Sequence, residues 1–148
     1  MTQEQKDLLI KDLCSRLTHG VKCKILENNE VKILGSIQYD GENTLFDFWE
    51  DDQKIQYGYQ LYLSEFKPCL FPLSSMTEEQ WNNAPRVNLT EFTFESLKCG
   101  CFTLASYTCE NDLYDLVEFI NWLIENHFDI YGLIPMGLAD DATELNIY

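Results

Sequence analysis

Between residues 21 and 63 apolar side chains recur at every second position, a period that one face of a sheet can present and a helix cannot. Val21, Cys23 and Ile25 alternate with Lys22 and Lys24. Val31, Ile33, Ile37 and Tyr39 resume the alternation around Gly35, Thr44 to Trp49 follows, and Ile55, Tyr57, Tyr59, Leu61 and Leu63 form the longest run. Turn chemistry separates them, with Asn28-Asn29, then Asp40-Gly41 as a hairpin signal, then Asp51-Asp52. The pattern predicts a four-stranded antiparallel meander over roughly 21–64. Gly35 and Gly58 fall mid-strand, where glycine marks a bend or bulge. The expected sheet is therefore short and curled, and its closed form would be a small SH3-like barrel.

Helical periodicity flanks the meander. Thr2 with Gln5 makes a capping box, Leu9, Leu13 and Leu17 fall at four-residue spacing beside Ile10 and Cys14, and Gly20 supplies a C-cap, so residues 3–18 read as a helix. Residues 66–73 read as extended or irregular, because Pro68 and Pro72 each disfavour helix at the preceding residue. Thr77 caps a short helix from Glu78 that ends before Pro85. Residues 86–109 give no single reading; Phe102, Leu104 and Ser106 suggest a strand, and 90–97 fits a strand or a helical turn. Leu113, Leu116, Val117, Ile120, Leu123, Ile124 and His127 share one face of a helix over about 111–127, with Asn111 as its N-cap. Gly132, Pro135 and Gly137 then break regular structure. The expectation is one α+β domain spanning 1–148, in which an N-terminal helix, a curled meander and a C-terminal helix packed on the sheet follow in order.

Charge narrows the function classes. The net charge is −15, and residues 76–148 hold 13 acids against only Arg86 and Lys98. Phosphate backbones are bound mostly through Lys and Arg, so direct nucleic-acid binding is not expected. No run approaches the roughly 18 apolar residues of a membrane span. The N-terminal residues are polar and acidic where a signal peptide is basic, with no apolar stretch behind them, which reads as a cytoplasmic protein without membrane attachment. In that compartment Cys14, Cys23, Cys69, Cys99, Cys101 and Cys109 are expected as thiols, Cys14 and Cys23 as small buried hydrophobes.

Candidate chemistry is thin. Cys99, Cys101 and Cys109 lack the paired C-x2-C spacing of common zinc modules, with neither histidine close by. His127 has only Asp129 nearby as an orienting carboxylate, and His19 suits the negative end of a helix. Asp140-Asp141 with Glu144 lacks the glycine and spacing of a calcium loop. Ser74-Ser75 stands outside any nucleophile-elbow context, and the seven glycines fit no phosphate loop. Phe46, Phe48, Trp49, Tyr57, Tyr59 and Tyr62 could stack on bases, but that mode wants a positive groove. No catalytic, metal or cofactor residue set emerges, and no cofactor is expected.

Three stretches carry a resemblance. Ser15-Arg16-Leu17 leading into Gly20-Val21-Lys22-Cys23, Lys67-Pro68-Cys69-Leu70-Phe71-Pro72-Leu73-Ser74-Ser75-Met76-Thr77-Glu78-Glu79, and Asn126-His127-Phe128-Asp129 through Gly132-Leu133-Ile134-Pro135-Met136-Gly137-Leu138-Ala139 together span nearly the whole chain. They are similar to short proteins of gut Bacteroidales and their phages or prophages that share a K-P-x-L-x-P-x-S-S-M-T-E-E string. Members often carry tyrosine where Cys69 stands and arginine where Phe71 stands, so any role of that arginine is absent here. The resemblance implies a phage or prophage setting and no activity.

Together these features predict a non-catalytic interaction domain whose acidic surface meets a basic protein, in its extreme form a nucleic-acid mimic. Asp112, Asp115, Glu118 and Glu125 on the last helix, with no basic residue on that helix, are the candidate surface. A small enzyme or ligand-binding domain, with a pocket between sheet and last helix, is the second expectation. A phage structural or assembly component is the third.

Overall fold

The computed structural model describes residues 1–49, 59–85, 93–99 and 110–148, with backbone alone at 59 and 110–113. The first helix, α1, runs Gln3–Arg16. Its capping box is complete: the Gln5 amide donates to the Thr2 hydroxyl at 3.2 Å, and the Thr2 amide donates to the Gln5 side chain at 2.9 Å. A single 3-10 turn, Leu17–His19, carries the chain to Gly20, whose φ of 68° ends the helix in the left-handed conformation expected of a C-cap glycine.

The meander follows as β1 (Lys22–Ile25), β2 (Val31–Tyr39), β3 (Thr44–Trp49) and β4 (Tyr59–Tyr62), each antiparallel to the next. The predicted strand at 55–63 is realised at Tyr59–Tyr62, and its earlier residues, Gly58 included, lie outside the described residues. The Asp40 carboxylate closes the β2–β3 turn by accepting from the amides of Glu42 at 2.9 Å and Asn43 at 2.7 Å. Those bonds favour the ionised form and hold the Asp40 carboxyl below its ordinary range. Gly35 marks a bulge, as the mid-strand glycine suggests, because the β2–β3 register shifts between Leu34 and Ser36. The Trp49 indole lies where a β-carbon on residue 35 would stand.

Barrel closure does not occur. The sheet is open, in the order β4-β3-β2-β1-β5-β6. The free edge of β1 is taken by β5 (Phe66–Leu70), which pairs antiparallel with it and parallel with the two-residue β6 (Asp140–Asp141). Residues 66–70, expected to be extended or irregular, are thus an interior strand. Phe66, Pro68, Cys69 and Leu70 are buried, so alternation, the signature of a half-exposed strand, is missing.

Among the described residues, two helices follow, α2 (Glu78–Asn83) and α3 (Phe94–Lys98), then α4 (Glu110–Glu125). Thr77 caps α2 as expected, accepting from the Gln80 amide. Within the ambiguous 90–97 stretch, residues 94–97 belong to α3, while 90–92 and Phe102, Leu104 and Ser106 lie outside the described residues. Helix α4 begins at Glu110, one residue before the expected cap Asn111. No helix among the described residues is long and apolar enough to cross a membrane.

Among the described residues, two apolar clusters divide the interior. The first joins Leu9 and Leu13 of α1 to Cys23, Ile25, Leu34, Phe46, Phe48, Phe66 and Leu70 of the sheet, and to Leu133 and Leu138 beyond α4. Phe66 meets Phe46 and Phe48 edge to face at centroid distances of 5.0 and 4.8 Å, contacts worth about 0.5–1.5 kcal/mol each beyond area burial. The second cluster gathers Phe119 and Leu123 of α4 with Met76, Ala84, Leu97 and Phe128. The face covering the first cluster's strands belongs to α1, and α4 makes its main buried contacts with the second. That geometry moves the buried stripe of α4 to Leu116, Phe119, Leu123 and Ile124, and leaves Val117, expected inside, 48% exposed. On α1 the buried stripe is Leu9, Asp12, Leu13 and Arg16, which turns Cys14 to solvent, contrary to its expected burial.

Replacing Gly35 with alanine should force Trp49 aside and cost about 1–3 kcal/mol, the usual penalty of overpacking. Urea denaturation checks it, and a variant as stable as the parent would contradict the packing of Trp49 on residue 35.

Candidate functional site

Helix α4 contains no Lys or Arg from Glu110 to Glu125, so it lacks the cation that commonly balances the negative end of a helix. Its C-terminus is nevertheless fully built. The Phe128 amide donates to the Leu123 carbonyl at 2.9 Å and the His127 amide to the Ile124 carbonyl at 3.1 Å. This 6→1 and 5→2 pair is the Schellman arrangement, with residue 127 in the left-handed position that glycine usually fills. Here that position is a histidine with φ of 59°, which costs backbone energy that the surroundings must offset.

The missing cation arrives from α1. Arg16 is fully buried and donates to the Ile124 carbonyl at 3.1 Å and the Phe128 carbonyl at 2.7 Å. Its remaining donors grip Asp12, one turn earlier and also fully buried, in a two-point pair at 2.8 Å each. Burial pushes the Asp12 carboxyl up, opposed by the Arg16 guanidinium. The next turn continues the polar work: the Asp129 carboxylate accepts from the amides of Leu133 at 2.8 Å and Ile134 at 2.9 Å. Asp129 is therefore engaged, and among the described residues no hydrogen bond joins it to His127. The orienting carboxylate that a catalytic His127 would need is absent from that position.

His127 is buried, its Nδ1 makes no hydrogen bond, and its ring stacks on that of Tyr148 at 4.1 Å with 20° between planes. Burial, then the charges of Arg16, His19 and Lys22, lower its pKa to about 4. The Tyr148 hydroxyl accepts from the Lys22 amide and donates to the Cys69 carbonyl, both at 2.9 Å. Burial raises the Tyr148 phenol, pushes the Cys69 thiol up to about 11 and the Cys23 thiol well above its ordinary value. These cysteines are inert thiols at neutral pH, since the thiolate is the nucleophile.

The four candidate acids divide. Glu118 and Glu125 are exposed on α4, and Asp115 is half-buried at the border of that face. Asp112 belongs to α4, but its side chain lies outside the described residues. Between the acids stand two apolar side chains the charge pattern did not single out, Tyr114 at 65% and Val117 at 48% exposure. A hydrogen bond to Glu118 raises the Tyr114 phenol. The outward face of α4 is thus an apolar pair set among carboxylates.

Other expectations resolve plainly. Asp140 lies 3.5 Å from Lys24 and 3.8 Å from Lys67, while Asp141 accepts from the amide and hydroxyl of Thr143. Cys99 is exposed, and Cys101 and Cys109 lie outside the described residues. Among the described residues no three His, Cys, Asp or Glu side chains are placed to hold one metal ion. Phe46 and Phe48 are core residues and form no stacking platform. A groove of about 450 Å³ lies between α1 and the strand ends, lined by Lys6, Ile10, Tyr39, Tyr62 and Leu63 among others. Compared with protein-family models, with curated proteins and with solved structures, the chain matches none of them.

The depressed His127 pKa fixes a sign. The unfolded chain takes up this proton near pH 6.5 and the folded chain only near 4. Stability from keeping His127 neutral is complete above about pH 6.5 and is lost as pH falls toward 4, about 3 kcal/mol in all. Urea titrations across that range should show the loss, and His127→Asn should remove most of it; a parent protein equally stable at both ends contradicts the burial of a neutral imidazole.

Proposed function

We propose that the chain is a non-catalytic interaction domain that presents the outward face of α4 to a basic protein, in the phage or prophage setting its motif string suggests. One observation carries this reading: Tyr114 and Val117 remain exposed on a helix whose neighbouring positions are Asp115, Glu118 and Glu125 and which has no basic residue. Exposed apolar pairs rimmed by charge are what interfaces offer, an anchor for affinity and a field for steering. Solubility alone would explain the carboxylates and not the exposed apolar pair. Imitation of nucleic acid is the limiting case, in which the partner's own DNA or RNA competes for the same basic surface.

The test compares capture from host lysate by the parent protein and by an Asp115→Asn, Glu118→Gln, Glu125→Gln variant, at about 50 mM and about 300 mM salt. A steered partner should associate more than tenfold more slowly with the variant at low salt and lose that difference at high salt, while the melting temperature stays within a degree or two. Tyr114→Ala should instead speed dissociation. Added DNA that releases the partner identifies the mimic form. A partner indifferent to salt and to all four substitutions overturns the proposal.

A further inference from the structure

Residues 143–146 are exposed, yet the segment 142–148 returns to the body of the protein at both ends. At one end the buried Ala142 donates its amide to the Leu70 carbonyl at 2.8 Å. At the other, Tyr148 lays its ring on His127, stands 5.5 Å from Phe71, and places its hydroxyl between the Lys22 amide and the Cys69 carbonyl. The Lys22 ammonium donates to the Ile147 carbonyl at 2.5 Å and lies 5.9 Å from the centre of the Tyr148 ring. We propose that segment 142–148 is a strap that acid lifts, with protonation of His127 beneath the Tyr148 ring as the trigger.

The geometry supplies the coupling. Nδ1 of His127 is buried without a hydrogen-bond partner, so a proton placed there has no acceptor in the closed arrangement. Departure of the stacked Tyr148 ring opens a way for water to it, since residues 143–146 of the strap that carries this ring are already exposed. The groups around the imidazole oppose a second positive charge. Arg16 from α1, His19 from the turn after it and Lys22 from β1 all lower its proton affinity, with burial acting in the same direction. The nearby carboxylates are engaged, Asp12 with Arg16 and Asp129 with the amides of Leu133 and Ile134. Cys23 on β1, Cys69 on β5 and the Tyr148 phenol are held neutral by burial and offer no compensating anion. Lifting the ring restores hydration to His127, so the open state binds the proton more tightly and acid shifts the population toward it. What the open state uncovers is the aromatic series that ends at Phe71 and Phe128.

Hydrogen exchange at single amides tests this. The Lys22 amide is bonded to the Tyr148 hydroxyl and reports strap opening; the Leu34 amide, bonded to the Val21 carbonyl at 3.0 Å, does not depend on the strap. After correction for intrinsic rates, the opening constant at Lys22 should rise about tenfold per unit as pH falls from about 6 to about 4 and stay at least tenfold above that at Leu34, whose own rise follows the smaller population of globally unfolded chains. In His127→Asn, whose residue adopts the left-handed conformation readily, the Lys22 dependence should fall below about twofold. In Tyr148→Ala, Lys22 should exchange freely at every pH. Opening constants equal in size at Lys22 and Leu34 across this range would mean that acid opens only the whole protein and no strap exists. A His127→Asn variant that keeps the parent's slope would remove His127 as the trigger.

Discussion

One guanidinium ties the two ends of this fold together. Arg16 reaches from α1, which covers the sheet, to the carbonyls that close α4, and Asp12 holds it in place. The pair is fully buried, and burial of two charges costs several kcal/mol per ion before their attraction is counted. It persists because every strong bond is made: two to the carboxylate and two to carbonyls that the α4 terminus would otherwise leave bare. Removing one member would strand the other in the interior, so the pair's worth lies less in net stability than in fixing where α4 ends. From that point the left-handed His127, the turn held by Asp129 and the stacked Tyr148 all follow.

The second cluster extends from this junction as a run of rings. Phe94 lies 5.6 Å from Trp81, Trp81 is 5.9 Å from Phe119, and Phe119 and Trp122 continue at 6.0 Å steps to Phe128. Phe71 then links Phe128 to Tyr148 at 6.2 and 5.5 Å. Aromatic contacts of this kind are individually modest, but in series they make the buried side of α4 a rigid platform and leave its opposite side free to carry Tyr114, Val117 and the acids. The same arrangement thus anchors the helix and offers its outer face for the proposed contact with a basic protein.

Much of the frame was legible in the sequence for local reasons. Capping boxes at Thr2 and Thr77, the hairpin residues at Asp40-Gly41 and the bulge glycine Gly35 act within a few residues, and each does in the fold what its chemistry suggests. The misses share a cause, which is partners far away in sequence. Strand β5 has no alternation because Pro68 and its neighbours are enclosed. Cys14 and Val117 turn outward because the buried stripes of α1 and α4 are set by Arg16 and by the aromatic cluster rather than by hydrophobicity alone. The four-residue spacing of Asp12 and Arg16 was a readable signal of pairing, but spacing cannot distinguish a surface pair from a buried clamp. Nothing in the sequence pattern joins Tyr148 to His127, since the contact depends on the chain's return past β5.

The central claim is that Arg16 organises the junction between α1 and α4, and a double-mutant cycle on Asp12 and Arg16 tests it most directly. Urea denaturation of Arg16→Met, Asp12→Leu and the double variant separates the coupling from the loss of either side chain. Arg16→Met should cost about 3–5 kcal/mol, because it leaves a buried carboxylate unpaired and two carbonyls without a donor. The double variant should recover a substantial part of that loss. Single and double variants all within about 0.5 kcal/mol of the parent would contradict the account, for then neither the buried pair nor its hold on α4 shapes this fold.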